Sequence, residues 1–580
     1  MLFFWSKENI KNSRNYIPNI WDILILTVIL SIIFGISWSI SKMSTPYDLG
    51  NQIKISLDPS HLPEYAGRTV LRMFIALIFS LIATFTLAPL AAWNRHAERI
   101  IIPAIDILQS IPILGMLSIS VIAFIKIFPG SLLGPECAAI FAIFTSQVWN
   151  MILSLYQSLK TIPKDLVEVS RIYHMSNWQK FWRIYVPFGA PGLLWNTMMS
   201  MSAGWFFVVL SEAISVNNQT ITLPGIGSYI QLAISQSDIT SIGYAIIAMF
   251  TVILIYDQLL FRPLLVWAEK FKSEIDDEEV YYESWIFDLL ARTHLLKKLE
   301  TFSSWLGHLF IGKSTINPKQ YKTPPSKNNA TLRRISLNFY YICLAVIMLY
   351  ATANIIEIIK ESIKFKEVIY VSYLGLITAV KVVILIFLAS IIWIPIGVWI
   401  GLNPRISSIV QPIIQFIASF PANLFYPIAV LLIIKFNLNH QIWTTPLMIL
   451  GTQWYILFNV IAGTATIPKE LKLAAKSLGL RGVLWWTKLA LPAIFPFFIT
   501  GAMTAAGGCW NASIVAEFVQ WGDHTFVSLG LGSYIEQYTR EGDFPRIALG
   551  ITVMCIYVLA FNRLVWQKLY NLAQTRFTLD

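Results

Sequence analysis

Charge is scarce in this chain of 580 residues: Asp, Glu, Lys and Arg make up 13% of it, against 56% hydrophobic residues. With a mean hydropathy of +0.62, that shortage excludes an ordinary soluble protein of this size. Cysteine and histidine are thin as well. Cys137, Cys343, Cys509 and Cys555 lie far apart in or beside apolar runs, without metal-type spacing, and the seven histidines are scattered. They read as packing residues, and no metal site is expected. The alternation of a transmembrane barrel is missing too: Met73 to Phe79 and Val382 to Ala389 are apolar throughout.

What the chain has instead is long uncharged runs, each near the ~20 residues that carry a helix across a bilayer. About twelve of them are readable. In the first half they lie near 21–41, 70–93, 106–128, 136–158, 190–211 and 241–262. In the second half they lie near 337–358, 379–401, 411–434, 442–462, 491–514 and 547–566. The first run follows Lys7, Lys11 and Arg14 and has no small-residue cleavage site after it, so it reads as a retained span rather than a signal peptide.

The net charge of +11 is placed topologically: the segment 270–334 holds eleven Lys and Arg, and 212–240 holds none. By the positive-inside rule the former is cytoplasmic and the latter external, which puts both termini in the cytoplasm. That placement accounts for the basic excess, and no nucleic-acid partner is expected.

The chain repeats itself. Ile162-Pro163-Lys164-Asp165-Leu166 returns as Ile467-Pro468-Lys469-Glu470-Leu471, a shift of 305. The same shift takes Trp149 to Trp454, Pro187 to Pro492, Pro191 to Pro496, Trp205 to Trp510, and Glu212 to Glu517. It also takes Gly225-Ile226-Gly227-Ser228-Tyr229 to Gly530-Leu531-Gly532-Ser533-Tyr534. Upstream the shift is 309, pairing Arg72 with Lys381, Pro103 with Pro412 and Pro112 with Pro421. Six spans per copy return the chain to the cytoplasm, so the copies are parallel repeats about an axis along the membrane normal, with a pathway between them. The expected units are 1–267, a cytoplasmic linker at 268–335, and 336–580.

Between the fourth and fifth spans of each copy lies a helix-like segment, 160–187 and 465–492, too polar to cross a membrane. Its second copy reads Pro468-Lys469-Glu470-Leu471-Lys472-Leu473-Ala474-Ala475, then Gly479, then Leu491-Pro492. The first reads Pro163-Lys164-Asp165-Leu166-Val167-Glu168-Val169-Ser170, then His174, then Val186-Pro187. Here the chain resembles the binding-protein-dependent permeases of ABC importers, whose loop runs Pro-x-Glu-Leu-x-Glu-Ala-Ala, then Gly, then Leu-Pro. Leu473 replaces the pattern's Glu in one copy, and His174 replaces its Gly in the other. Within the family, Trp510-Asn511-Ala512-Ser513-Ile514-Val515-Ala516-Glu517 looks most like the nitrate/sulfonate/taurine group.

The resemblance implies an all-α polytopic fold of about twelve transmembrane helices, two parallel repeats of the type I importer permease. It implies that the two loops dock on two copies of a cytoplasmic ATPase subunit, where ATP and magnesium are held, so that this chain needs no cofactor and catalyses nothing covalent. An extracytoplasmic binding protein would deliver the solute, an anion such as a sulfonate or nitrate, across a prokaryotic plasma membrane (the inner membrane of a Gram-negative cell). Small residues such as Ala474, Ala475 and Gly479 suit close docking, and Gly479 suits the helix stop.

Gly307-His308-Leu309-Phe310-Ile311-Gly312-Lys313-Ser314 matches a phosphate-loop pattern, but Leu309, Phe310 and Ile311 crowd it and Pro318 interrupts any following helix, so it is not expected to bind ATP. For the pathway, the polar and aromatic groups ending the fifth spans stand out: Trp205 and Glu212, and Trp510, Asn511, Ser513 and Glu517. A carboxylate at membrane depth must face protein or water; a structural pairing and a gate are both open for Glu212 and Glu517. Arg72 and Lys381 are expected to snorkel at the external ends of the second spans, or else to attract an anion. A secondary transporter or channel without an ATPase would need no paired docking loops and should carry charged relays in its spans. An intramembrane enzyme would need a constellation that neither half contains.

Overall fold

The computed structural model describes residues 53–269 and 362–576, apart from positions 110, 217, 218 and 523, with a few isolated positions elsewhere. The expected spans 21–41 and 337–358 and the linker fall almost wholly outside the described residues, and the Gly307 to Ser314 segment entirely so.

The first half runs α1 (Leu62–Trp93), α2 (Arg95–Leu108), α3 (Ile113–Ile127), α4 (Leu133–Lys160), α5 (Lys164–Ile172), α6 (Asn177–Lys180) and α7 (Val186–Ser211). A hairpin of β1 (Ala213–Val216) and β2 (Gln219–Thr222) follows, then α8 (Ile226–Ser235), α9 (Ile239–Tyr256) and α10 (Arg262–Glu269). The second half repeats the order with α11 (Phe365–Gly401), α12 (Pro404–Ser419), α13 (Tyr426–Lys435), α14 (His440–Trp443), α15 (Trp454–Ala465), α16 (Lys469–Ser477), α17 (Gly482–Trp485) and α18 (Leu491–Ala516). Then come β3 (Phe518–Trp521), β4 (His524–Val527), α19 (Leu531–Glu541), α20 (Phe544–Phe561) and α21 (Gln567–Arg576). The fold is an all-α polytopic membrane protein decorated by two small antiparallel hairpins, which pair Ala213 with Thr222 and Phe518 with Val527.

Among the described residues seven helices are long and apolar enough to cross a bilayer, or eight if the pair Pro404–Ser419 and Ala422–Lys435, bent by 73°, is one span. This is fewer than twelve for two reasons. Two expected spans lie outside the described residues, and others are interrupted. The run 106–128 is split at Pro112, and 411–434 is bent at Pro421, because proline offers no N–H to the preceding turn. In the run 442–462 the long helix begins only at Trp454, after the short α14 and a stretch punctuated by Pro446 and Gly451. Proline shapes the fifth spans differently. Val186 N–H reaches back five residues to Phe181 beside Pro187, and Leu491 N–H does the same to Trp486 beside Pro492, so each helix enters its span through a wide π turn.

Each half has its own core. Met73, Ile143, Met151, Trp205 and Tyr229 pack together in the first, and Val382, Ile456, Trp510 and Tyr534 in the second. Lipid tails are as apolar as these side chains, so close fit rather than water exclusion holds such helices together. Gly501 illustrates this: a Cβ there would meet the Tyr455 carbonyl oxygen of α15 at 2.6 Å.

The halves meet through pseudo-symmetric contacts. Ile113 N–H, at the break before α3, donates to Asn511 Oδ1 of α18 at 2.8 Å. At the corresponding break before α13, Asn423 Nδ2 donates to the Phe206 carbonyl of α7 at 3.5 Å. Phe250 of α9 sits edge-on against Phe416 of α12, with ring centroids 4.7 Å apart.

Candidate functional site

Two ends of the molecule carry the functional features: the end bearing the hairpins and the end bearing the loop helices α5 and α16. At the hairpin end each fifth-span helix closes on a carboxylate that clamps the glycine-rich turn. Glu212 accepts from Thr69 Oγ1 at 2.7 Å and from Gly227 N–H at 2.6 Å. Glu517 accepts from Thr378 Oγ1 at 3.2 Å and from Gly532 N–H at 2.8 Å. The glycines follow from the clamp: a Cβ on Gly225 or Gly530 would collide with the Glu212 or Glu517 carboxylate, and one on Gly227 with the Val209 carbonyl.

The cations paired with these carboxylates differ. Arg72 is fully buried, donating from Nη1 to Glu212 at 2.7 Å, from Nε and Nη2 to Glu136 at 2.6 and 2.7 Å, and from Nη2 to the Pro224 carbonyl at 3.0 Å. Lys381 donates to Glu517 at 2.9 Å and to the Leu529 carbonyl at 2.8 Å, with 14% of its side chain exposed. Neither cation snorkels as expected from its place near a span end, because each finds a carboxylate within reach inside the protein.

Glu136 had escaped the reading of the repeat: a shift of 305 leads to Gln441, not to another acid. The usable signal was an acidic residue at the start of an otherwise apolar run. Gln441 takes a related place, its Oε1 accepting from Leu529 N–H at 2.7 Å.

At the opposite end, α5 and α16 project exposed apolar side chains, including Val169, Ile172, Leu473 and Leu478. Pro163, Asp165, Glu168, Pro468, Glu470 and Ala474 are exposed with them, whereas Ser170 and Ala475 are buried beneath. Ala475 packs with Ile467, Leu489 and Ala493, which fixes α16 to the base of its span. The two helices stop in the same way. His174 and Gly479, one repeat apart, both have positive φ, +48° and +66°. Met175 N–H then bonds the Ser170 carbonyl at 3.1 Å, and Leu480 N–H the Ala475 carbonyl at 2.9 Å. The backbone thus keeps a glycine conformation where the first copy carries histidine. Pro187 and Pro492, both half-buried, follow the π turns.

Most of the expected pathway residues make their contacts within their own half. Trp205 is buried edge-on against Tyr256 at 5.7 Å, and Trp510 lies over Tyr557 at 6.4 Å. Ser513 Oγ donates to the Trp510 carbonyl in its own helix at 2.7 Å. Asn511 reaches across, to α3.

Between the halves, toward the hairpin end, lies a cavity of about 150 Å³. Its walls are repeat-related: Leu114 and Leu117 correspond to Asn423 and Tyr426, Gln231 to Glu536, and Ile234 to Thr539. The polar members sit mostly on the second half. Arg540 donates from Nε to Glu536 at 2.9 Å and from Nη1 to Gln520 at 3.0 Å, and lies 4.5 Å over the Phe518 ring. Burial pushes the Glu536 carboxyl above the usual carboxylate range, while Arg540 pulls the other way.

The architecture is that of a helical membrane protein built from two copies of one unit, with paired loop helices at one end and a cavity between the copies. The chain belongs to the family described as binding-protein-dependent transport system inner membrane component, whose profile matches it twice, over residues 84–261 and 393–567. It is similar to the bicarbonate transport system permease protein CmpB of Synechococcus elongatus, 28% identical over 178 residues, which is 31% of this chain and 61% of that protein. The nitrate import permease protein NrtB of Leptolyngbya laminosa is 26% identical over 178 residues, 31% of this chain and 60% of that protein. A probable ABC transporter permease of Brucella abortus is 24% identical over 185 residues, 31% of this chain and 68% of that protein. The chain thus spans about three-fifths of the length of the first two.

Proposed function

We propose that this chain is the fused permease of an ATP-driven importer that brings a small anion into the cytoplasm by alternating access. The loop helices face the cytoplasm and dock on two ATPase subunits; the hairpin end faces out and receives an extracytoplasmic binding protein. The cavity between the halves is part of the route. ATP and magnesium stay on the ATPase subunits. The observation that carries the reading is the pair α5 and α16: two short helices with exposed apolar side chains, at equivalent places in the two copies, each joined to a fifth span through a π turn. Bicarbonate and nitrate in the names of the relatives support an anion as cargo.

Ala474 is exposed on α16, so Ala474→Trp adds bulk there without disturbing a core. Retention of the ATPase subunit by the tagged chain, and ATP-driven uptake into membrane vesicles, should both be lost. A wild-type chain that retains no ATPase subunit would overturn the reading in favour of a secondary transporter or channel. Full uptake by Ala474→Trp would overturn docking on α16.

A further inference from the structure

The second half carries an apolar groove of about 620 Å³. It is lined by α11 from Val382 to Pro395, by α18 from Leu491 to Ile499, and by Phe561, Trp566 and Leu569 at the end of the last span. It opens to the outside of the bundle, where Val383, Phe387 and Ile391 are exposed. Of the lining side chains only Ser390 bears a hydroxyl, and it donates to the Ile386 carbonyl of its own helix at 2.6 Å. A water needs two or more polar partners, so such a groove stays dry and takes hydrocarbon. Between Val382 and Pro395 α11 rises about 20 Å, against about 15 Å for one leaflet of a ~30 Å hydrocarbon core.

The corresponding corner of the first half is filled by its own rings. Phe85 stands in the place of Ile394 and packs against Phe181 at 6.3 Å and Trp182 at 5.8 Å, with Trp93 against Phe181 at 5.7 Å. At the positions of these four rings the second half has Ile394, Trp486, Thr487 and Leu402. Charge differs at the same end. Arg563 and Lys568, both exposed, flank the lining residues Val565 and Leu569, where the first half has Gln258 and Pro263. The first half's cation on this turn, Arg262, faces Asp257 at 3.4 Å; the second half has Gln567 and Asn562 at those places.

We propose that this groove binds one anionic phospholipid of the cytoplasmic leaflet. An acyl chain lies along α11 between α18 and the last span, and the phosphate meets Arg563, Lys568 and the exposed Lys488 at the loop-helix end. Long basic side chains reach headgroup level from a helix end, and the indoles of Trp486 and Trp566 suit the same depth. The expected span 337–358 is the other source of apolar surface. It follows Arg333 and Arg334, so in this groove it would bring like charge to a basic rim, whereas a phospholipid answers both the groove and the charge.

The choice of leaflet rests on the loop helices facing the cytoplasm, as in the import reading; lipid binding itself needs neither ATPase nor binding protein. The full chain, purified in mild detergent and stripped of lipid, is titrated with phosphatidylglycerol or phosphatidylcholine of matched acyl chains, and bound lipids are counted by native mass spectrometry. One phosphatidylglycerol should bind at least tenfold more tightly than phosphatidylcholine. Arg563→Gln with Lys568→Gln changes only exposed positions and should bring the two lipids within about threefold. Ile394→Phe supplies the first half's ring and should weaken the tight phosphatidylglycerol at least tenfold without lowering the unfolding temperature. Equal binding of the two lipids, a preference that survives the charge variant, or binding untouched by Ile394→Phe would each overturn the site. A disulfide formed in membranes between Ile391→Cys and cysteines introduced at 337–358 would place the chain's own span in the groove and overturn it too. Retention of the ATPase subunit before lipid is stripped judges the import reading independently.

Discussion

At the hairpin end of the first half, Arg72 stands between two buried carboxylates, Glu136 and Glu212, and is sealed from solvent. In the second half Lys381 faces Glu517 alone and keeps an exposed edge. Three of the groups around these cations are shared: the threonine on the second-span helix, the carboxylate that clamps the glycine turn, and the carbonyl at Pro224 or Leu529. The duplicated element is therefore the clamp. The cation that neutralises it is replaceable, and its surroundings decide how costly its removal becomes.

That contrast gives the largest expected effect. Arg72→Met would leave two buried carboxylates without a counter-charge and should destabilise the chain by about 3–5 kcal/mol, whereas Lys381→Met should cost about 1–2 kcal/mol because Glu517 keeps its bonds to Thr378, Gly532 and Ser533. Thermal unfolding in detergent measures both. Equal losses would mean that the two clamps are energetically alike despite Glu136.

A smaller effect separates the loop helices. His174 holds a left-handed conformation that glycine adopts without strain, so His174→Gly should stabilise its helix end by about 1 kcal/mol, and Gly479→His should cost a similar amount. Hydrogen exchange at residues 164–175 and 469–480 reads this directly. No change at either place would show that the helix stops tolerate any residue.

The smallest concerns a tie found in the first half. Glu98 of α2 accepts from Tyr156 Oη at 2.5 Å and from Lys160 Nζ at 3.0 Å, and these partners hold its carboxyl below the usual range. The repeat places Ser407, Ile461 and Ala465 at the corresponding positions. A depressed carboxyl stabilises the folded state fully above its ordinary value of about 4.3 and loses that contribution as the pH falls through the lower folded value. Acid should therefore loosen the α2–α4 contact in the first half, and Glu98→Gln should abolish this pH dependence of exchange. A pH response that persists in Glu98→Gln would locate the effect elsewhere.

Much of the architecture was legible because the repeat marks equivalent positions: Pro187 with Pro492, the Gly-x-Gly-Ser-Tyr turns, and the loop helices all fall one shift apart. Part of what stayed hidden lacks a partner in the other copy. Glu136 is matched by Gln441, and Thr539 and Arg540 are matched by Ile234 and Ser235, so a search for self-similarity passes over them. The hairpins were missed because strands of four residues fall between two helical runs. Their signals were the dipeptides Asn217-Asn218 and Gly522-Asp523 between short β-branched or aromatic stretches. Pro112 and Pro421 are legible in the sequence as interruptions of the third spans, and in the structure they end helices rather than kink them.

The one-sided wall of the central cavity has a consequence for how such a protein can change. In a permease assembled from two identical chains, any residue introduced beside the axis arrives in duplicate, and a second arginine facing Arg540 would bring like charges together in a confined space. Joined copies escape that constraint: one wall can acquire Asn423, Thr539 and the Arg540 and Glu536 pair while the other keeps Leu114, Ile234 and Gln231. Fusion turns a two-fold symmetric cavity into one with two chemically distinct sides.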